Sequence, residues 1–405
     1  TLYCEQAPLA DIAARAGTPC YVYSRAAILE RYRAYDEALA GLPHRICYSA
    51  KANSSLGVLA LLARAGAGFD IVSGGELYRV LQAGGEPGGV VFSGVGKTPA
   101  EVEYALAQGV HSFNCESEDE LALVDALAAR QGVRARVGLR VNPDIEAETH
   151  PYISTGLRAH KFGIDIAQVP GISERARALR SVSLEGVSSH IGSQLLDAGP
   201  ILAALDIMLA LVERLRAAGT DIRTLDLGGG LGVAYRPGER TPEVRDFVSQ
   251  VRARVEGKGL FVMLEPGRSI VAEAGVLLTR VLYRKGNGGK EFVVVDAAMN
   301  DLIRPALYQS HHEIIPLRRT ARPRILADVV GPVCETGDYL ARDRELDNVL
   351  PGDLLAVCTA GAYAFVSASN YNSRTRPPEI LVEGDRWRVI RARESYADLV
   401  RGESV

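Results

Sequence analysis

The sequence predicts an α/β protein: a TIM-type (β/α)8 barrel joined to a second, mostly antiparallel β domain of sandwich or barrel type. Three observations lead there. Eight short, β-branched apolar runs recur between residues 45 and 264, each ending in polar or glycine-rich residues and leading into helical apolar spacing. That alternation implies parallel strands, because a crossover must travel back along the sheet before the next strand begins. After Arg268 the rhythm changes to strand-like segments separated by turns of Gly, Pro, Asn and Asp. The length of 405 residues accommodates both, since a barrel takes about 250 residues.

The eight runs are residues 45–49, 69–72, 90–93, 109–114, 134–141, 183–190, 223–227 and 260–264. Between them, Thr98-Pro99-Ala100-Glu101 and Ser117-Glu118-Asp119-Glu120 both read as capping boxes, in which a hydroxyl and a Glu three residues later satisfy orphan N–H groups. The later strand-like segments are 276–283, 292–296, 324–330, 353–358, 379–383 and 387–391. The domain boundaries expected from this pattern are 26–268 for the barrel, with 1–25 and 269–405 forming the β domain. The N-terminal stretch, including Pro19-Cys20-Tyr21-Val22-Tyr23, goes with the latter.

Composition narrows the function. Lys plus Arg number 46 against 49 Asp plus Glu, with no long run of like charge, so a nucleic-acid or anionic-membrane partner has no electrostatic basis. No apolar stretch approaches the ~18 residues of a membrane span, and the start at Thr1 is not a secretory signal, so a cytoplasmic setting is expected. The absence of an initial Met suggests a processed or trimmed terminus. Six cysteines (Cys4, Cys20, Cys47, Cys115, Cys334, Cys358) lie far apart with no Cys-x-x-Cys, which argues against a disulfide framework and a zinc ribbon; no metal is expected.

Barrel enzymes keep their reactive groups at the C-terminal strand ends. The run ends here supply Lys51, Asp70, His190, Gly228-Gly229-Gly230-Leu231-Gly232 and Glu265-Pro266-Gly267-Arg268. Lys51 reads either as a rim lysine in solvent or as a desolvated amine able to form a Schiff base with an aldehyde. The glycine cluster reads as a tight turn or, at a late barrel strand, as a nest of backbone N–H groups for a phosphate. Glu265 could pair with Arg268, or hold a pyridine nitrogen protonated. His190 could be a hydrogen-bonded core residue, or a flat ring stacked on a cofactor. If a pyridoxal 5'-phosphate ring lay in the barrel mouth, the amine, the phosphate loop and the acid would form one cofactor site.

The chain resembles the fold-type III pyridoxal-phosphate decarboxylases, of alanine racemase-like architecture, most nearly the branch that acts on meso-diaminopimelate. The likeness runs through residues 48–53, 69–77, 149–156, 161–164, 190–194, 225–232, 265–268, 300–308, Cys334-Glu335-Thr336-Gly337-Asp338, Gly361-Ala362-Tyr363 and Ser369-Asn370-Tyr371-Asn372. So many separated matches in one order are far more specific than any single motif. The resemblance implies that Lys51 carries the cofactor, with Asp70 beside it, that His190 stacks on it, and that Glu265 pairs with its pyridine nitrogen. It also implies that Gly229, Gly230 and Gly232 cradle the phosphate, with Ser193, Gly267, Arg268 and Tyr363 contributing.

In this family the cysteine and the following glutamate reach the partner subunit's active site, so the resemblance implies a homodimer in which Cys334 and Glu335 complete the other site. Diaminopimelate carries a carboxylate and an amine at its distal end, which calls for fixed cations and an acceptor. The family pattern places Arg268, Arg304, Tyr308 and Glu335 there, and Tyr363 is expected to contact the substrate as well. Ornithine and arginine decarboxylases carry an aspartate after the equivalent cysteine and lack this arginine set. The implied reaction converts meso-2,6-diaminopimelate to L-lysine and CO2, the last step of lysine biosynthesis, with Cys334 as proton donor. An alanine racemase-like activity would need a second base, typically a tyrosine, in place of Cys334 and Glu335, and a non-catalytic cofactor-binding barrel would lack the β domain. The departures are Ala364, where relatives have Gly, and residues 365–368; both bear on the loop geometry around Tyr363.

Overall fold

The computed structural model describes residues 1–145 and 161–405. Landmark residues 149–156 lie outside the described residues. The chain divides into two compact units, residues 30–233 with 240–269, and residues 1–29 with 234–239 and 270–405.

In the first unit, eight parallel strands among the described residues close on themselves. They are His44–Ser49, Gly68–Ile71, Val90–Phe92, Ser112–Cys115, Ala135–Asn142, Val182–Ser188, Thr224–Asp226 and Phe261–Leu264, each paired with the next. The eighth pairs with the first through Val262 and His44, which completes the (β/α)8 barrel. Strands covered on both faces read as unbroken apolar runs rather than alternating ones. Accordingly Gly68–Ile71 and Ser112–Cys115 are buried at every position. Phe92 and Phe113 stack across neighbouring strands at 6.0 Å between ring centroids, adding specific aromatic contact to the interior.

The helix Pro99–Gln108 begins with a complete capping box between Thr98 and Glu101, and Pro99 opens its first turn. At Glu118–Gln131 only half of the expected box forms. Ser117 accepts from the Glu120 amide, but the Glu120 carboxylate turns to Lys97 Nζ at 2.5 Å and to the Glu116 amide at 2.8 Å. The physical reason is Lys97, whose buried ammonium needs an anion more than a helix end does.

The second unit is built around the 13-residue strand Gly275–Asn287. Its first half pairs with Cys20–Ser24 and Leu354–Val357, and its second half with Lys290–Val295. Most pairings are antiparallel. The exceptions are Cys20–Ser24 with Glu379–Glu383 and Lys290–Val295 with Arg324–Val330, which are parallel. Tyr21 and Tyr23 of the N-terminal strand are fully buried, and their hydroxyls donate to the Asp301 carbonyl and to Glu379 Oε1. A core of Leu9, Ile12, Cys20, Val22, Leu278 and Ile380 packs beside them. Strands absent from the sequence expectation include Ile314–Pro316, Tyr339–Asp347 and the two-residue pair Tyr3–Cys4 and Ala7–Pro8. Among the described residues no helix is long and apolar enough to cross a membrane, and no three His, Cys, Asp or Glu side chains converge as metal ligands.

Candidate active site

The first barrel strand ends in a single 3-10 turn, Ala50–Ala52, which directs Lys51 into the C-terminal mouth. Its Nζ lies 2.6 Å from Asp70 Oδ2 at the end of the second strand. Asp70 is fully buried, whereas the Lys51 side chain is about one third exposed, so the amine stands between an internal anion and the open mouth. Ser49 Oγ is 2.9 Å from both Asp70 Oδ2 and the Glu265 carbonyl, tying the first, second and eighth strands together beneath the lysine.

Glu265 and Asp226 end the eighth and seventh strands, are both buried, and are hydrogen-bonded to each other. Asp226 also accepts from the Gly228 amide at 2.9 Å and from Asn114 Nδ2 at 3.0 Å, while the second Asn114 hydrogen goes to Ser93 Oγ at 3.2 Å. Two N–H donors favour the charged form of Asp226, so Glu265 carries the proton and donates it. Burial, then the charges of Asp226 and Asp70, push the Glu265 carboxyl well above the ordinary range. Asp226 was not singled out from the sequence, although its place between Leu225 and Leu227 before the glycines is the signal that marks a buried acid.

The glycine loop follows directly. A Cβ at Gly229 would fall 2.3 Å from the Glu265 carbonyl oxygen, and Gly230 has φ +115° with its Cβ position 2.6 Å from the Gly192 carbonyl oxygen. Only glycine allows the loop to lie against both neighbouring strand ends. The loop is zipped to residues 190–195: Leu195 N donates to the Gly230 carbonyl, Gly232 N to the Leu195 carbonyl, and the Gln194 amide pairs with both backbone groups of Val233. His190 Nδ1 lies 3.3 Å from the Gly229 amide. Burial, then the charges of Arg140 and Lys51, hold its pKa well below 6.5, so the imidazole is neutral with Nδ1 as acceptor. Arg268 Nη2 donates to Ser193 Oγ at 3.0 Å, and Gly267 packs against Ala52 and Ser49 beside the lysine turn. Glu265 is thus engaged by Asp226 in the interior, while Arg268 reaches Ser193. Lys51, Asp70, His190, Ser193, Gly229, Gly230, Gly232, Glu265, Gly267 and Arg268 therefore share one rim.

The remaining sequence-predicted residues lie in the β unit. Arg304 opens the helix Arg304–Tyr308 and is buried, its guanidinium carbon 5.8 Å from the Tyr308 ring centroid. Cys334 is exposed, its amide donating to Asn372 Oδ1 at 2.7 Å; Glu335 Oε2 accepts from the Tyr371 hydroxyl at 2.7 Å. Tyr371 and Asn372 belong to the Ser-Asn-Tyr-Asn motif, to which the sequence assigned no role. Tyr363 has φ +55° after Gly361, where a Cβ would overlap the Val271 carbonyl oxygen. Ala364 sits at φ −104° and ψ −86°, outside the regular helical and extended regions.

The arrangement fits pyridoxal phosphate on its own geometry: a glycine cradle too close for any Cβ, an amine at the mouth, a protonated buried acid, and a neutral imidazole. Residues 25–272 match the family described as pyridoxal-dependent decarboxylase, pyridoxal binding domain. The chain is 56% identical to diaminopimelate decarboxylase of Pseudomonas aeruginosa over 405 residues, covering all of this chain and 97% of that one. It is 50% identical to that of Vibrio cholerae with the same coverage. The crystal structure of diaminopimelate decarboxylase from Helicobacter pylori complexed with L-lysine superimposes with a TM-score of 0.93 at 42% identity, covering 97% of this chain and 98% of that one. The chain belongs to the pyridoxal-dependent decarboxylases, and within them to the diaminopimelate decarboxylases, pyridoxal-phosphate-dependent carboxy-lyases.

Proposed function

We propose that the chain converts meso-2,6-diaminopimelate to L-lysine and CO2, as the last step of lysine biosynthesis, from a site completed by a second copy of itself. The observation that carries the chemical reading is the convergence of Lys51, the protonated Glu265 and the neutral His190 on one glycine loop. When bound, pyridoxal phosphate supplies the electron sink that takes up the charge left as CO2 departs.

The protein's own residues do the rest. Lys51 would hold the cofactor covalently through Nζ, and the buried Asp70 carboxylate keeps the lysine amine in place. Glu265 would pair with the ring nitrogen and give it the proton that it otherwise shares with Asp226. The backbone N–H groups of Gly229, Gly230 and Gly232, with Ser193, Gly267, Arg268 and Tyr363, would hold the phosphate, and His190 would lie against the ring. Arg268, Arg304, Tyr308 and Glu335 fix the carboxylate and amine at the distal end of the substrate, and Tyr363 contacts the substrate beside the phosphate site. Cys334, exposed on its own subunit, enters the partner's site and donates the proton to the carbon that lost CO2.

The test is direct. The purified protein, supplied with pyridoxal phosphate, is mixed separately with meso-diaminopimelate, L-ornithine, L-lysine and L-arginine, and CO2 and the amine product are measured. Release from meso-diaminopimelate alone, with L-lysine as product, is expected; release from ornithine alone would overturn the substrate assignment.

A further inference from the structure

We propose that Tyr235 is a positioning residue for the distal carboxylate of the substrate, acting through the guanidinium of Arg304. The inference rests on the reading above in which Arg304 binds that carboxylate.

The Arg304 guanidinium carbon lies 5.1 Å from the Tyr235 ring centroid, closer than the 5.8 Å to Tyr308. Both Arg304 and Tyr235 are buried, at 6% and 8% exposure, where attraction between a cation and a π face is strongest. The Tyr235 ring is fixed in turn. It meets the His312 ring edge-on, with centroids 5.2 Å apart and planes at 81°, and His312 is fully buried with Nδ1 2.9 Å from the Cys358 carbonyl oxygen. Arg304 Nη2 also donates to Ser310 Oγ at 3.3 Å.

The geometry suits a binding arginine better than a purely structural one. A guanidinium binds a carboxylate through N–H groups that lie in its plane, whereas an aromatic ring contacts the face of that plane. A ring partner thus stabilises and orients a buried cation without competing for the edge that a carboxylate uses. An acidic side chain in the same place would be a rival for the ligand. Tyr235 also stands three residues past Gly232, and its short segment, residues 234–239, groups with the β unit although the chain on both sides groups with the barrel unit.

The test is a double-mutant cycle on the holoenzyme. Tyr235→Leu removes the π face and should raise KM for meso-diaminopimelate about tenfold, with kcat and the cofactor absorbance within about twofold of wild type. The Kd for L-lysine, which keeps the distal carboxylate, should rise in parallel by calorimetry. Tyr235→Phe keeps the ring and should restore wild-type KM. In an Arg304→Gln background, Tyr235→Leu should add less than about twofold. Should Tyr235→Leu not fold, Tyr235→Met replaces it at similar volume without a π face. Equal effects of Leu and Phe, a loss confined to kcat, or a Tyr235→Leu effect undiminished in the Arg304→Gln background would each overturn the proposal. If Arg304→Gln alone leaves KM unchanged, it is the assignment of Arg304 that fails.

Discussion

Glu265 shares its proton with Asp226 inside the barrel: burial pushes both carboxyls up, and the Gly228 amide and Asn114 hold Asp226 the lower of the two. This pair joins the acid proposed for the ring nitrogen to the first residue of the phosphate loop, so that proton state and loop position depend on each other.

A pH dependence of stability follows. Below the usual carboxylate value of 4.5, Glu265 is protonated in both folded and unfolded chains and costs nothing. As pH rises past 4.5 the unfolded chain ionises while the buried carboxyl keeps its proton, so the folded state loses stability until its own, higher pKa is reached. Glu265→Gln removes this loss and can still donate to Asp226. The cofactor-free Glu265→Gln protein should therefore melt above the wild type at pH 8 and level with it near pH 4, by calorimetry, while its turnover with cofactor falls on the order of a hundredfold. Coincident melts at both pH values would contradict the assignment of the proton to Glu265.

Removal of Lys51 should leave Asp70 as a buried anion without its ammonium. Lys51→Ala is expected to destabilise the cofactor-free protein by about 2 kcal/mol, less than for a fully buried pair because the lysine is partly solvated. Lys51→Ala/Asp70→Asn should recover most of that loss in urea unfolding, since the amide carries no charge. Additive destabilisation by the two changes would mean that the pair is not coupled.

The glycine cradle predicts a steric effect with a built-in control. Gly229→Ala places a Cβ 2.3 Å from a backbone oxygen that cannot move without displacing Glu265. It should weaken pyridoxal phosphate retention at least tenfold in equilibrium dialysis. Gly96→Ala, whose Cβ would meet nothing within 4 Å, should retain cofactor like the wild type.

If Cys334 completes the partner's site, two dead proteins should rescue each other. Lys51→Ala and Cys334→Ala are each expected to lose nearly all turnover, with Cys334→Ala still binding cofactor. In a mixture that exchanges subunits, each heterodimer holds one site with both groups intact, so activity should reach about a quarter of the wild-type value. A mixture no more active than its parts would place Cys334 within its own subunit's site or outside the mechanism.

Much of this was legible in the chain. The eight barrel strands announce themselves because they are mostly buried and read as apolar runs, and residues 324–330 and 379–383 emerge at their observed limits. Tyr339–Asp347 escapes notice because Arg342, Asp343, Arg344 and Glu345 interrupt it; only Leu340, Ala341 and Leu346 are buried, too sparse a signal to mark a strand. Lys51, Glu265 and the glycines stand at strand ends, where the architecture concentrates chemistry. Asp226 and Tyr235 are harder to read: the flanking leucines mark Asp226 as buried, but the partners Glu265 and Arg304 are 39 and 69 residues away along the chain, so the contacts themselves carry no local signal.

The central claim is that the cofactor is carried by Lys51 at the barrel mouth. Borohydride reduction of the holoenzyme, followed by peptide mapping, tests it with one reading. The label should fall on Lys51 alone, in the peptide that contains Tyr48 to Asn53. A label on any other lysine, such as the buried Lys97, would contradict the assignment and with it the site described above.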